Sequence, residues 1–516
     1  MGVQFVIKIL FTIVVIALLG VLLRLYNVLV MKPKRLRSVL KKQGINGPPP
    51  AFLLGNMRQI QKTLSSVVKA NAPPLIHNYA ALLFPFIELW QKEYGQVLVF
   101  SLGNIQVLNL NQPDIVKEYT TCVSWDLGRS SININDLGPL LGQGILTSNG
   151  AFWSHQRKII APEFYMEKIK LLQGMVNLIT ESAISLVNSW KSIIERDGGM
   201  ADMKVDEGLI SFSADVISRA CFGSNYSEGE KIFMKLMDLQ KAVSNKGIAA
   251  FGIPGMRYLP TKSNRKAWAL EKEIRDLIMK VVKERQEAAS KKDLLQTILD
   301  GAESSNLNGE AMERFIVDNC KTIYLAGFDT TAVSSSWCLM LLALNQQWQD
   351  RVRAEILEIC GGGMPNYDMI RKMKLLNMVI QETMRLYPPV SIVAREALND
   401  VKLGNINVPK GVNIWSIVSL LHTDPGTWGP DSYKFNPERF ANGITSACKY
   451  PFLYMPFGIG PRMCLGQNLA MVELKILMAL ILSNFSFTIS PKYVHSPTFN
   501  LVIKPEHGVN LLIKKL

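Results

Sequence analysis

Pro456-Phe457-Gly458-Ile459-Gly460-Pro461-Arg462-Met463-Cys464-Leu465-Gly466-Gln467-Asn468-Leu469-Ala470 is the stretch on which the reading of this chain turns. Three glycines bracket one cysteine, and an apolar helical pattern follows directly, from Leu465 to Leu482. Glycine lets a backbone come close to something bulky and turn its amides toward a neighbouring group. The thiolate is the form of cysteine that binds metals, and a helix N-terminus with a nearby arginine, here Arg462, favours it. A free core side chain is the ordinary fate of a cysteine. Against that, a match to five fixed positions arises by chance in only about one chain of this length in ten thousand.

An electron-rich thiolate presented on a glycine loop is what the axial ligand of an oxygen-activating haem requires. The rest of the chain is consistent with a large protein built around such a site. Its 516 residues are 48% hydrophobic, 19% charged and 9% aromatic, which excludes disorder and collagen-like repetition. The mean hydropathy of +0.14 is too low for a multi-span transporter and suits one apolar segment on a large soluble body. The net charge of +15 suggests nucleic acid until its distribution is read. Lys8, Arg24, Lys32, Lys34, Arg35, Arg37, Lys41 and Lys42 all lie in residues 1–50 with no acidic partner, and no recognition motif backs them.

That basic head belongs to a membrane anchor. From Phe5 to Met31 the chain is nearly all apolar, with Lys8 and Arg24 placed to snorkel at the two ends of its core. The basic residues from Lys32 to Lys42 then put everything after them on the cytoplasmic side, and their position after the apolar run argues against a cleaved signal peptide. Seven scattered cysteines without a C-x-x-C fit a reducing compartment. Gly47-Pro48-Pro49-Pro50 reads as a stiff extended hinge. The organisation expected is an anchor at 1–31, a basic and proline-rich hinge at 32–50, and one large domain at 51–516. Helical periodicity marks Glu167–Glu195, Ala267–Ala289, Ala311–Leu344 and Leu465–Leu482, while strands are short: Val97–Ser101, Ile105–Leu110 and Val401–Leu403. The fold class expected is mainly α with small β-sheets.

Further residue patterns accompany the cysteine loop. Glu382-Thr-Met-Arg385 and Phe435-Asn-Pro-Glu-Arg439-Phe440 supply charges that would have to pair if buried. Ala326-Gly327-Phe328-Asp329-Thr330-Thr331 interrupts a helical stretch with poor helix formers, so a local opening of that helix is expected. Trp153 and Arg157 sit at i, i+4 on one helical face. The five histidines form no metal-binding spacing and read as structural, with His155 the one that could lie near a cofactor edge.

Phe457-x-x-Gly460-x-Arg462-x-Cys464-x-Gly466 resembles the haem-binding loop of the cytochrome P450 family, the haem-thiolate monooxygenases. The other patterns resemble that family's E-x-x-R, P-E-R-F, oxygen-side threonine segment and W-x-x-x-R, in the family's order and across essentially the whole chain. The resemblance implies the mainly α P450 fold behind a single N-terminal transmembrane helix. It implies haem b with Cys464 as the axial ligand of its iron. Trp153, Arg157, Arg395, Arg462 and Phe457 would be its other holders, Asp329 and Thr330 a proton-relaying acid–alcohol pair, and Glu382, Arg385 and Arg439 a structural triad.

The same resemblance implies an endoplasmic-reticulum enzyme with its catalytic domain in the cytoplasm. It would take O2 and electrons from NADPH–cytochrome P450 reductase, docked on the basic side near Arg157 and Lys158. Ser124–Leu141, Val317–Thr330, Val390–Ala394 and Ser496–Leu501 would line an apolar pocket. Ile145–Lys158 and Phe251–Lys262 are similar to the plant clan that oxidises gibberellins and triterpenoids, implying a lipophilic terpenoid as substrate. A haem-thiolate isomerase or dehydratase needing no O2, and a non-enzymatic membrane haem protein, are the alternatives; an intact Asp329 and Thr330 argue against the first, and the second would need no proton relay and no substrate channel.

Overall fold

The amino terminus is one helical rod. Helix α1 (Gly2–Tyr26) is exposed along its whole length and, with its apolar surface, is long enough to cross a membrane. A π-helical turn (Asn27–Met31) joins it to α2 (Lys32–Lys41), with the Lys32 amide bonded back to the Asn27 carbonyl. The basic half of the expected hinge is thus helical. It is also docked: Leu36 and Leu40 are buried, and Arg37 donates to the Gly47 and Pro48 carbonyls at 2.9 and 2.7 Å. The stretch after it turns at Lys42–Gly44, and Ile45–Pro50 carries no regular secondary structure. The computed structural model describes residues 2–66, 77–132, 137–166, 173–222, 226–244, 258–287, 293–305 and 307–516. Parts of the expected pocket lining (133–136) and of the clan-like segment (251–257) lie outside them.

The body is helical, with its sheets to one side. The helices that position the site are α3 (Gly150–Ile160), α4 (Asp206–Phe222), α5 (Tyr226–Ser244), α6 (Gly309–Leu344), α7 (Lys374–Leu386) and α8 (Gln467–Asn484). Asn308 caps α6, its side chain accepting from the Ala311 amide. Helices α6 and α8 are apolar nearly all round, the mark of helices surrounded by protein, and their residues dominate the largest core cluster.

The main sheet has five strands in the order β1 (Val97–Leu102), β2 (Ile105–Leu110), β8 (Asn413–Ile417), β5 (Ile392–Ala397), β3 (Leu127–Gly128). Only the β2–β8 pair is parallel. The antiparallel register pairs Arg395 with Ile414 and Leu127 with Ala397, which sets Arg395 and the start of the Arg129 segment side by side. A second sheet joins β4 (Met200–Lys204), β12 (Asn510–Lys515) and β9 (Phe485–Ile489). Two hairpins complete the set, β6 (Val401–Leu403) with β7 (Ile406–Val408), and β10 (Pro497–Asn500) with β11 (Val502–Pro505).

Candidate active site

The Cys464 loop is a tight turn laid on the start of α8. The Cys464 amide donates to the Phe457 carbonyl at 2.8 Å, and the Met463 amide to the Gly460 carbonyl at 3.1 Å. Gly460 has a φ of +72°, and a Cβ there would stand 2.5 Å from the Thr120 carbonyl oxygen, so only glycine fits. Gly466 differs. Its φ is an ordinary −83°, and no protein atom lies within 4 Å of where its Cβ would be. Nothing in the chain itself demands glycine there, whereas a flat group resting on the loop would.

Cys464 is solvent-accessible although protein mass surrounds it on nearly every side, as happens to a side chain that faces an internal cavity. Burial pushes its thiol pKa up; the Gly466 and Gln467 amides and the Arg157 guanidinium pull the other way without winning. The sequence reading expected a lowered pKa with Arg462 beside the sulfur. In the structure Arg157 is the charge that acts on the thiol, and Arg462 is turned away onto the Trp153 ring, 3.9 Å from its centroid. A metal cation at the sulfur would supply what the protein does not, since coordination deprotonates a thiol outright.

Helix α6 packs on α8, the helix that the loop leads into. From Phe315 to Ala343 every residue of that helix is buried except Ala326, Gly327 and Thr330. Ala326 and Thr330 are one turn apart on one face, and the Thr330 hydroxyl donates to the Ala326 carbonyl at 2.7 Å. The helix nevertheless stays continuous, without the expected opening. Packing around it outweighs the weak propensities of Gly327, Asp329 and the threonines. Gly327 serves that packing, because a Cβ there would stand 2.6 Å from Ile217 of α4. Asp329 is buried and accepts from Gln240 of α5 at 3.1 Å. Burial raises its carboxyl pKa, while Gln240 and Lys504 of β11 oppose the rise.

Four guanidiniums gather beside the loop. Arg462 donates to the Ser148 carbonyl at 2.8 Å and to Asn149 Oδ1 at 3.1 Å; Arg157 donates to the Met463 carbonyl at 3.0 Å. Arg395 and Arg129 complete the group. Burial first, then mutual repulsion, lowers the pKa of Arg462 to about 9, and lowers that of Arg129 well below its usual value. Among the described residues none of the four has a carboxylate partner, and the buried Arg129 Nε has no hydrogen-bond partner. Clustered cations without counter-ions make a receptor for anionic groups, carboxylates above all. The chemistry of this donor set fits a haem: a sulfur for the iron, a bare glycine surface for the ring and guanidiniums for its propionates.

Arg129 lies within Ser124–Leu141, which the sequence marks only as pocket lining. It belongs with the other three, and nothing in its spacing from them indicated so. Gln240 and Lys504, both coupled to Asp329, were missed for the same reason. His155 binds Ser305 at 2.5 Å, a structural contact with the helix Leu294–Glu303 region.

The expected triad is unequal. Arg385 and Glu382 form a two-point pair at 2.6 and 2.8 Å, both fully buried. Arg439 reaches Glu382 only at 3.8 Å and is held more closely by Asp431, at 2.8 Å.

A family model described as Cytochrome P450 matches residues 46–513. Curated relatives match over nearly their full length. Cytochrome P450 714C2 of Oryza sativa subsp. japonica is 52% identical over 500 residues, covering 95% of each chain. Cytochrome P450 714A2 of Arabidopsis thaliana is 47% identical over 510 residues, covering 96% of each. Cytochrome P450 714B3 of Zea mays is 44% identical over 519 residues, covering 99% of this chain and 96% of the relative.

Proposed function

The chain belongs to the cytochrome P450 family, the haem-dependent monooxygenases, and from that premise we propose that it hydroxylates, or oxidises further, a lipophilic terpenoid. A gibberellin-type diterpenoid and a pentacyclic triterpenoid are the two substrate classes proposed. The cofactor is haem b, with the Cys464 sulfur as its iron ligand. The bound haem supplies the activation of O2 and the insertion of one oxygen atom into an unactivated C–H bond.

The protein's share of that work is positioning and proton handling. Arg129, Arg157, Arg395 and Arg462 hold the two propionates, with Trp153 packed between Arg462 and Arg157 to fix their planes. Phe457 offers its carbonyl to the Cys464 amide and keeps the sulfur pointing out of the loop. Ala326, small and uncovered, would leave space for a bound group on that face of α6. Thr330 Oγ1 carries a hydroxyl proton next to the reacting centre, and Asp329 restores it through water. Glu382, Arg385 and Arg439 stay out of the chemistry and brace the segments beneath it. Electrons come from NADPH–cytochrome P450 reductase at the basic face that includes Lys158. Helix α1 holds the enzyme in the endoplasmic-reticulum membrane with its body in the cytoplasm.

The observation that carries this reading is an accessible Cys464 enclosed by protein, on a loop beside arginines that lack carboxylate partners among the described residues. Its test is the carbon-monoxide difference spectrum of the dithionite-reduced protein in microsomes, with Cys464→Ser alongside. The long-wavelength thiolate Soret band is expected in the wild type and not in the variant. Turnover of terpenoid acids and triterpenes with reductase and NADPH then decides between the substrate classes. A haem-loaded wild type without that band refutes the ligand assignment.

A further inference from the structure

Away from the Cys464 loop, four distant segments bring a ring system together around Tyr387, the residue that follows α7. Its ring is sandwiched: Trp337 of α6 stacks on one face at 4.3 Å between centroids, and Tyr79 on the other at 4.9 Å, both within 15° of parallel. Its hydroxyl lies between two imidazoles, His77 Nδ1 at 2.8 Å and His495 Nε2 at 3.4 Å; His495 Nδ1 in turn meets the Tyr493 hydroxyl at 2.7 Å. All six residues are at most 5% exposed. Burial pulls the His77 pKa to about 3 and the His495 pKa to about 4, so each imidazole is neutral, with one N–H and one bare nitrogen.

The lengths assign a direction to this chain. The two short links are those of phenol O–H donors, and the long one suits an imidazole N–H. Tyr493 donates to His495 Nδ1, His495 Nε2–H donates to Tyr387, and Tyr387 donates to His77 Nδ1. A buried phenol therefore points its proton at a neutral base while two aromatic faces clasp its ring. It also lies close to the candidate site by two routes. Trp337 is on the same helix as Thr330, two turns further on, about 10 Å along the axis and on nearly the same face. Val390, the start of one expected pocket segment, follows Tyr387 after two prolines.

We propose that Tyr387 is a one-electron relay that draws an oxidising equivalent away from the haem site when no substrate is there to receive it. The proposal rests on the reading of the Cys464 site above. The oxidant is the one that the monooxygenase reaction itself generates from O2. An electron leaves the Tyr387 ring, passes through the stacked Trp337 and reduces the haem site by one equivalent. The phenolic proton moves along its hydrogen bond to His77 Nδ1, giving a neutral tyrosyl radical beside an imidazolium. A soluble one-electron reductant of the thiol or ascorbate class returns the electron, and His77 returns the proton. Tyr387 is regenerated, and the equivalent has left without damage to the pocket.

The test uses the full-length, haem-loaded protein, mixed with a peracid without substrate, frozen within milliseconds and examined by electron paramagnetic resonance. A tyrosyl signal is expected in the wild type, lost in Tyr387→Phe and reduced in Trp337→Phe, a variant that keeps the phenol and both imidazoles. Substrate-free cycling with reductase should bleach Tyr387→Phe faster than wild type, although both give the same carbon-monoxide spectrum. A wild type with the thiolate band but no tyrosyl signal, or an undiminished signal in Tyr387→Phe, overturns the relay alone. A wild type without the band overturns the reading of the site and the relay with it.

Discussion

Arg385→Met should be among the most damaging single substitutions in the body, and its effect can be worked from the contacts. The Arg385 guanidinium is fully buried and makes two bonds to Glu382. It also donates to the carbonyls of His422 at 2.8 Å, Ser432 at 2.6 Å and Lys434 at 3.1 Å. Its removal leaves the Glu382 carboxylate with the Asn436 amide at 2.9 Å and a distant Arg439 at 3.8 Å. Breaking one side of a buried pair costs about 3–5 kcal/mol, and each carbonyl left without a donor adds roughly 1 kcal/mol. That is most of the ~5–15 kcal/mol by which a folded domain is stable. The double variant Glu382→Met/Arg385→Met removes both charges, and Arg439 keeps Asp431 at 2.8 Å. It should therefore be less damaging than the sum of the singles by about 2–3 kcal/mol. Guanidinium titration of the detergent-solubilised full chain, followed by tryptophan fluorescence, gives both quantities. A single variant within about 1 kcal/mol of wild type, or singles that add, would refute the reasoning.

Gly327→Ala should destabilise by about 1–3 kcal/mol through its contact with Ile217, and Ile217→Ala added to it should recover part of the loss; no recovery in the same titration would mean that α4 is not what excludes the methyl. Lys504→Met removes a charge that holds the Asp329 pKa down, so that pKa rises further. Asp329 gives its proton in the protonated form, so the alkaline limb of product formation moves to higher pH; a limb that stays put separates Asp329 from the pH profile. Arg129→Met should speed the transfer of haem to apomyoglobin, and an unchanged rate would remove Arg129 from the groups that hold it.

What could be read from the residues, and what could not, follows from how far each signal extends along the chain. The Cys464 loop and α8 are contiguous, so glycine placement and apolar periodicity carried them. Helix α6 was legible for the same reason, yet its closure through Gly327–Thr331 was not, because that depends on partners such as Ile217 from elsewhere. Helix α2 was hidden by composition: Leu36 and Leu40, a turn apart, lie among lysines and arginines that mark a solvated tether. Arg129, Gln240 and Lys504 reach the site by strand pairing and helix packing, which leave no trace in local spacing. Arg439 shows a subtler failure. The pattern named a triad, but Asp431, which competes for its third member, is brought there by the fold.

The docking of α2 sets where a soluble form of this enzyme should begin. Leu36, Leu40 and Ile45 share a core cluster with Leu108, Val412 and Val418, and Arg37 ties the helix to the Gly47–Pro48 backbone. Trimming the chain at the prolines, where composition draws the border, would strip three buried side chains from the sheet and leave an apolar scar open to water. A cut just before Lys32 discards the exposed apolar rod and keeps the clasp. For the expression of this protein the apolar rod ends at Met31, and the ten residues of α2 behind it are part of the body.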